Sequence, residues 1–368
     1  MRKVLLGDIC KPKQWKTISA SMLTEDGYPV YGANGVIGKY SEYNHEKETL
    51  LITCRGATCG NLNICKPYSY VNGNAMALDD LDESINVRYL YYVLKERGFK
   101  DIISGSAQPQ IIRSALEKIS ILIGTEKEQK EIVEKFSIIE KVIRDRKVEL
   151  QYLDELIKAR FIEMFGDMFL NTMNWPEVKL DSIADIVSGI TKGRKIKGDK
   201  WIKVPYMAVS NVKDGYIDWT TVKTILATPS EIEQYHLMSE DILITEGGDP
   251  DKVGRGAIIH NPPKDCIHQN HIFRVRLRQD FLLPEYMEQY LQQQRSKRYF
   301  LRCAKQTTGI ASINMRQLNS LPVLLPPIEL QKRFADFVIQ TDKSKVAIQK
   351  SLEKAQLLFD CLMQKYFG

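Results

Sequence analysis

No apolar run in the 368 residues approaches the ~18 needed to cross a bilayer, so a membrane span is not expected. The N-terminal stretch Met1-Arg2-Lys3-Val4-Leu5-Leu6-Gly7-Asp8 is too short in its apolar part to read as a signal peptide. Cysteine is sparse and odd in number, at seven. Cys54, Cys59 and Cys65 cluster, but not at the spacing of a zinc knuckle or ribbon, and no second cluster completes a site. They read as reduced thiols in a cytoplasmic protein, with no metal expected. The five histidines are scattered; His268 and His271 are close, but a strand would point them to opposite faces. There is no P-loop, G-x-G-x-x-G, H-E-x-x-H or G-x-S-x-G. Asn261-Pro262-Pro263-Lys264 is similar to the N-P-P-aromatic motif of adenine methyltransferases, yet Lys264 stands where a ring must stack on the base. It reads as a strand-to-strand turn. These absences exclude a catalytic centre and a cofactor of the chain's own.

What the chain does have is a repeat. An offset of 202 residues carries Ile121-Leu122-Ile123 onto Val323-Leu324-Leu325, Gln129-Lys130 onto Gln331-Lys332, and Phe165-Gly166 onto Phe367-Gly368. Within the repeat, residues 126–165 contain no proline or glycine. Phe136, Ile143, Leu150, Ile157 and Met164 recur every seventh residue, with Ile132, Ile139 and Leu153 as a companion series. In the second copy Val338, Leu352, Phe359 and Tyr366 continue the first series, and Phe334, Ile348, Ala355 and Leu362 the second. That is the seam of a coiled coil. Two helices about 60 Å long, each with one narrow apolar stripe, need a partner, and the nearest is the other copy.

Before each helix lie short apolar runs broken by glycine, asparagine and proline. They are Tyr28–Tyr31, Thr49–Thr53 and Tyr70-Val71 in the first half, and Val204–Met207, Asp241–Thr245 and His271–Val275 in the second. These predict strands of two β-rich heads. Each head then has a short helical pattern, around Val87–Lys100 and Pro284–Leu301. The offset is 174 at Val4/Val178 and 192 at Leu50/Ile242, so the second head is longer. The expected architecture is α+β, with a pseudo-two-fold internal repeat.

A net charge of +6 tilts the chain toward a polyanion, and local clustering says more. Lys11, Lys13 and Lys16 crowd one stretch; Lys192, Arg194, Lys195, Lys197, Lys200 and Lys203 crowd another. Polar groups on glycine-rich turns add donors suited to base edges. In the first head these are Asn34, Arg55, Thr58, Asn61, Asn74, Gln108 and Gln110, with Lys39 nearby. In the second they are Asn211, Lys213, Arg255, Gln269, Asn270 and Thr308. Arg55 and Arg255 are the leading base-contact candidates of the two heads. Asparagine and glycine also serve turns for backbone reasons alone, so the case is collective.

The whole length resembles the specificity subunit of Type I restriction–modification systems. The resemblance is carried by Gly27–Gly38 (GYPVYGANGVIG), Leu51–Ala57 (LITCRGA), Ser104–Ile111 (SGSAQPQI), Asp241-Ile242-Leu243 and Thr307–Ile310 (TTGI). The helix start Pro326-Pro327-Ile328-Glu329-Leu330-Gln331-Lys332 is similar to that family's, and Gly124-Thr125 replace the prolines in the first copy. The resemblance implies target recognition domains at 1–122 and 167–324, joined by long antiparallel coiled-coil helices at 123–166 and 325–368. It further implies a non-catalytic subunit that reads double-stranded DNA, one half-site per head, with the helices fixing the gap. Two methyltransferase subunits would bring S-adenosylmethionine for adenine N6 methylation. Motor–nuclease subunits would bring ATP and magnesium. The recognition subunit of a Type II-like or stand-alone methylation complex, and a two-headed protein–protein scaffold, are the alternative readings.

Overall fold

The computed structural model describes all residues except Met1, 106–107, 196–199, Asp251 and Thr308. The chain forms two compact units, Met1–Val148 with Ile348–Gly368, and Glu149–Ala347. Two helices of 40 residues, Glu126–Phe165 and Ile328–Phe367, each contribute one part to each unit. Among the described residues no helix is long and apolar enough to cross a membrane.

In the first unit an antiparallel sheet runs in the order Lys11–Gln14, Ala75–Asp79, Thr49–Thr53, Leu62–Cys65. Thr49–Thr53 is a near-continuous apolar run because both its faces are covered. Leu50 and Ile52 pack in one core with Tyr89, Leu90 and Val93 of the short helix Val87–Arg97. Leu51 packs on the other side with Tyr31, Val71 and Ala77. A three-stranded sheet, Gly35–Tyr40, Tyr28–Gly32, Tyr70–Val71, supplies that second side. A ribbon pairs Arg2–Leu5 with Ser120–Ile123 and leads into the first long helix.

The second unit repeats the plan. Its four-stranded sheet is ordered Ala184–Ser188, Ile272–Leu277, Ile242–Thr245, Gly256–Ile258, and its three-stranded sheet Lys223–Ala227, Ile202–Met207, Ile267–His268. The ribbon pairs Glu177–Lys179 with Pro322–Leu324. Val4 faces Ile121 and Val178 faces Val323, so the offsets read from the sequence are structural equivalences. Asn261–Lys264 lies in the connection between the strands Gly256–Ile258 and Ile267–His268.

The long helices pair antiparallel. In the first unit Phe136 meets Phe359, ring centroids 5.1 Å apart, and Lys135 Nζ donates to Tyr366 Oη at 3.1 Å. In the second, Phe161 meets Phe334 at 5.4 Å and Lys345 pairs with Asp154 at 2.7 Å. Of the expected seam, Phe136, Ile143, Ile157, Val338 and Phe359 are buried, while Leu150, Leu352 and Leu362 are partly covered. Phe161 and Phe165 are completely buried yet belong to neither heptad series. Phe165 lies 29 residues after Phe136, close to eight turns at 3.6 residues each, so the buried face follows a straight helix more closely than a strict heptad. The helical pattern expected over Pro284–Leu301 is two helices, Pro284–Gln292 and Gln294–Cys303, with Gln293 extended at ψ 153°. Ser296, wholly buried, donates its hydroxyl to Tyr290 O at 2.8 Å and caps the first of them.

The same glutamine anchors both long helices to their heads. Gln129 Oε1 accepts the Asn86 N–H at 2.7 Å, and its amide nitrogen donates to Ser84 O and Gly124 O. Gln331 Oε1 accepts the Leu283 N–H at 2.9 Å, and its amide nitrogen donates to Phe281 O and Pro326 O. Both side chains are buried. Leucine at either position fits the volume but strands three backbone groups. Gln331→Leu is expected to cost the second unit about 2–4 kcal/mol, measured by urea unfolding; a loss below ~1 kcal/mol would show that water replaces the clamp.

Candidate nucleic-acid interface

The first head gathers its polar candidates at one end of the central strand Thr49–Thr53. The turn that follows is closed by Thr53 N to Asn61 O, 2.8 Å, and Asn61 N to Thr58 O, 3.0 Å, which places Thr58 and Asn61 on it. Gly56 has φ +89°, which this turn needs and a side chain would strain. Arg55 is exposed and bridges to Gln110 in an antiparallel register; Gly56 N donates to Pro109 O and Ile111 N to Cys54 O, each at 3.0 Å. The segment carrying Gln108 and Gln110 is therefore pinned beside Arg55. Asn74 O accepts from Cys54 N at 3.3 Å. The two-residue turn Ala33-Asn34 is held to the strand end by the Thr53 hydroxyl, which donates to Ala33 O. Asn34, Arg55, Thr58, Asn61, Asn74, Gln108 and Gln110 thus share one rim.

The lysines lie elsewhere. Lys11 pairs with Asp79 across the sheet, at the end away from Gln14, and its ammonium meets Asp80 at 2.8 Å. Lys13 sits 3.7 Å over the Trp15 ring. Lys39 is exposed, 3.8 Å from Asp26. Lys11 and Lys13 border a hollow with Trp15 and His45, not the Arg55 rim.

The second head builds the same rim from different side chains. Glu246 N donates to His271 O at 3.0 Å and Ile313 N to Glu246 O at 2.8 Å, as Cys54 does with Asn74 and Ile111. Gly247-Gly248 pair with Ser312 and Ala311, as Arg55 bridges Gln110. By the same bonds Thr245 N donates to Arg255 O where Thr53 N donates to Asn61 O. Arg255 therefore occupies the place of Asn61, not of Arg55. Its Nε is buried without a partner, so the guanidinium sits low in the turn. Gln269 N donates to Met207 O as Asn72 N does to Tyr31 O, which puts Gln269 and Asn270 beside the rim.

Other second-head candidates are used by the fold. Asn211 is wholly buried; its amide bonds Ala208 N, Asp218 O and Thr221 Oγ1 and has nothing left for a base. Arg194 is held at 2.6 Å by both oxygens of Glu231, whose carboxyl the guanidinium lowers below its ordinary range. Lys192 and Lys195 are exposed, and Lys213 is partly covered in a turn closed by its own N–H to Tyr216 O. Thr308 and Lys197 lie outside the described residues.

Sequence reasoning missed His271 and Ser312, which stand at the rim where Asn74 and Gln110 stand in the first head; Glu246, on the glycine-rich turn Glu246–Asp249, stands where Cys54 does. His271 Nδ1 and Glu246 Oε2 are 2.5 Å apart and the histidine is exposed. The signal was the drifting offset between heads, 192 at Cys54/Glu246, 197 at Asn74/His271 and 202 at Gln110/Ser312. Its neighbour His268 is structural. It is wholly buried, its ring nitrogens 3.1 and 3.2 Å from Tyr235 O and Val187 O.

Burial pulls the His268 pKa down from 6.5 to about 4. Because the folded pKa is the lower one, protonation favours the unfolded chain. The contribution to stability is complete above pH 6.5 and fades as pH falls toward 4. His268→Gln should flatten the fall of the unfolding midpoint across that window, followed by circular dichroism; parallel curves for both proteins would remove His268 as its cause.

Comparison with known proteins places this geometry. A family model described as the Type I restriction modification DNA specificity domain matches residues 1–152 and 173–358. The EcoKI specificity subunit of Escherichia coli K12 is 23% identical over 358 residues, covering 91% of this chain and 72% of that protein. A candidate type I restriction enzyme MjaX specificity subunit of Methanocaldococcus jannaschii is 28% identical over 196 residues, 53% of this chain and 45% of that protein. The chain thus spans less than half of the latter's length. The crystal structure of a Type-I restriction-modification S subunit from M. genitalium aligns with TM-score 0.64 at 16% identity, over 100% of this chain and 96% of that one. A chain from a type I R-M complex aligns with TM-score 0.57, also at 16% identity, over 100% and 97%. Both are likenesses of fold.

Proposed function

Since the chain belongs to the family of Type I restriction–modification DNA specificity domains, we propose that it is the sequence-recognition subunit of such a complex, working in the cytoplasm. Each head reads one half of an interrupted site on double-stranded DNA. Two methyltransferase subunits, carrying S-adenosylmethionine, are positioned for adenine N6 methylation, and motor–nuclease subunits, using ATP and magnesium, join for cleavage. The segments 1–122 and 167–324 act as the recognition heads and 123–166 and 325–368 as the helices that set the gap.

The observation that carries this reading is the rim built twice on one hydrogen-bonding plan with different side chains. Arg55, Asn74 and Gln110 in one head answer Gly247, His271 and Ser312 in the other. Arginine can bind the O6 and N7 of guanine, and asparagine or glutamine the N6 and N7 of adenine, so unlike rims read unlike half-sites.

The test is methylome sequencing of a host carrying this chain and its modification subunit. Exchanging residues 1–122 for another family member's head should change one half of the methylated motif and leave the other intact; a change in both halves would sink the two-head reading. Arg55→Ala should weaken binding to the cognate duplex by about 1–3 kcal/mol and relax a single position. The measurement is a fluorescence titration against a panel of single-base variants. Equal weakening on every sequence, with a shallower salt slope, would instead make Arg55 a phosphate contact.

A further inference from the structure

The short helices of the two units are equivalent, since Gln129 binds the Asn86 N–H and Gln331 the Leu283 N–H. Tyr92 of the first unit therefore stands where Gln289 stands in the second. On the long helices the 202-residue offset makes Phe136 the counterpart of Val338, and Phe359 that of Ile157. In the first unit Tyr92, Phe136 and Phe359 fill this place with rings: Tyr92 stacks on Phe136 at 4.6 Å, and Phe136 meets Phe359 at 5.1 Å. In the second unit Gln289, Val338 and Ile157 border a cavity of about 580 Å³. Part of its wall, Asp214–Trp219, comes from residues 208–222, the connection that replaces the two-residue turn Ala33-Asn34 of the first head.

The cavity is short of donors. Gln289 is only 8% exposed, and its Oε1 is buried with no donor. Glu288 beside it accepts one backbone bond, from Ile258 N at 2.8 Å. Burial, with Asp342 and Glu285 nearby, raises its carboxyl to about 8, so at neutral pH it becomes a carboxylate by giving up its proton as a cation is seated beside it. Lys345 is committed to Asp154 at 2.7 Å and Asp342 at 3.1 Å. Asp214 is committed to Lys297 at 3.2 Å. His260 and Lys158 at the wall are exposed to solvent. Among the described residues no group of three or more His, Cys, Asp or Glu is placed to hold a metal ion. An unpaired amide oxygen beside a desolvated carboxyl calls for a cation that carries several N–H donors.

We propose that this cavity is a binding site for an alkylguanidinium or alkylammonium group, seated between the Gln289 amide and the Glu288 carboxylate. The group belongs either to a free amine or to a basic side chain of a protein that assembles with this chain. Calorimetric titration of the full chain with agmatine tests the site. Two variants are compared: Glu288→Gln, which keeps the volume, and Val338→Phe, which fills the cavity as Phe136 does in the first unit; thermal unfolding confirms that each is folded. Saturable binding at one site, weakened at least about tenfold in both variants, is the expected result. The second arm, which rests on the family reading, measures assembly with the modification subunit. A fall of about tenfold in both variants assigns the cation to a protein side chain, and unchanged assembly alongside agmatine binding assigns it to a free amine. If neither agmatine binding nor assembly distinguishes the variants from the parent, the proposal is overturned, while the methylome test of the family reading is unaffected.

Discussion

A buried glutamine at the start of each long helix fixes where a head meets its helix, and the rest of each unit depends on that joint. Gln129 and Gln331 each satisfy three backbone groups that would otherwise be stranded in an apolar core. Two of those groups lie just before or at the cap of the short helix, and the third belongs to the last residues before the long one. The short helix is thereby set against the long helix at one height, and its buried tyrosine, Tyr89 or Tyr286, reaches the ribbon at Gly124 or Leu324. A bond of this kind is worth little net, but breaking it leaves buried donors and acceptors unpaired, so it is unforgiving of substitution. The heads can then diverge without disturbing the joint.

Much of this was legible because the strongest patterns are local. A stretch with no proline or glycine and a regular apolar period reads as one helix, and it is one, Glu126–Phe165. Thr49–Thr53 reads as a strand because β-branched and aliphatic residues fill it, and its lack of alternation reflects two covered faces. The break at Gln293 was not legible, because no proline or glycine marks it; a buried serine hydroxyl ends the helix from the next one. Phe161 escaped because a seven-residue count drifts off the buried face of a straight helix by about 20° per heptad. The rim was half legible. Arg55, Asn61 and Gln110 are on it, as glycine-rich turns suggested. Asn211 and Arg194 are spent on buried amide bonds and a carboxylate pair, and such partners lie far apart in sequence.

The equivalence of Arg255 with Asn61 shows why the heads resisted comparison by eye. Their backbone bonds match one to one, while the offset slides from 192 to 202 along the rim. A side chain's neighbours in sequence therefore say little about its counterpart in the other head. Shared backbone bonding with free side chains is what the proposed reading of two different half-sites requires. The main-chain plan places the donors, and each head chooses what to place there.

The same contrast explains the second unit's cavity. A core that lost the ring of Tyr92 and the rings of Phe136 and Phe359 to an amide and two aliphatic groups would be expected to collapse, since unfilled apolar volume costs roughly 24 cal/mol per Å³. It has not collapsed, because the replacements bring polarity and an added wall. Asp342 and Asp154 hold Lys345 across the helix pair, and Gly215 N donates to Gly256 O, which ties the longer connection to the sheet. A space held open by ion pairs and a tethered loop is not a packing fault. Here two units alike in strand order, long-helix pairing and glutamine joint differ in what their interiors can accept.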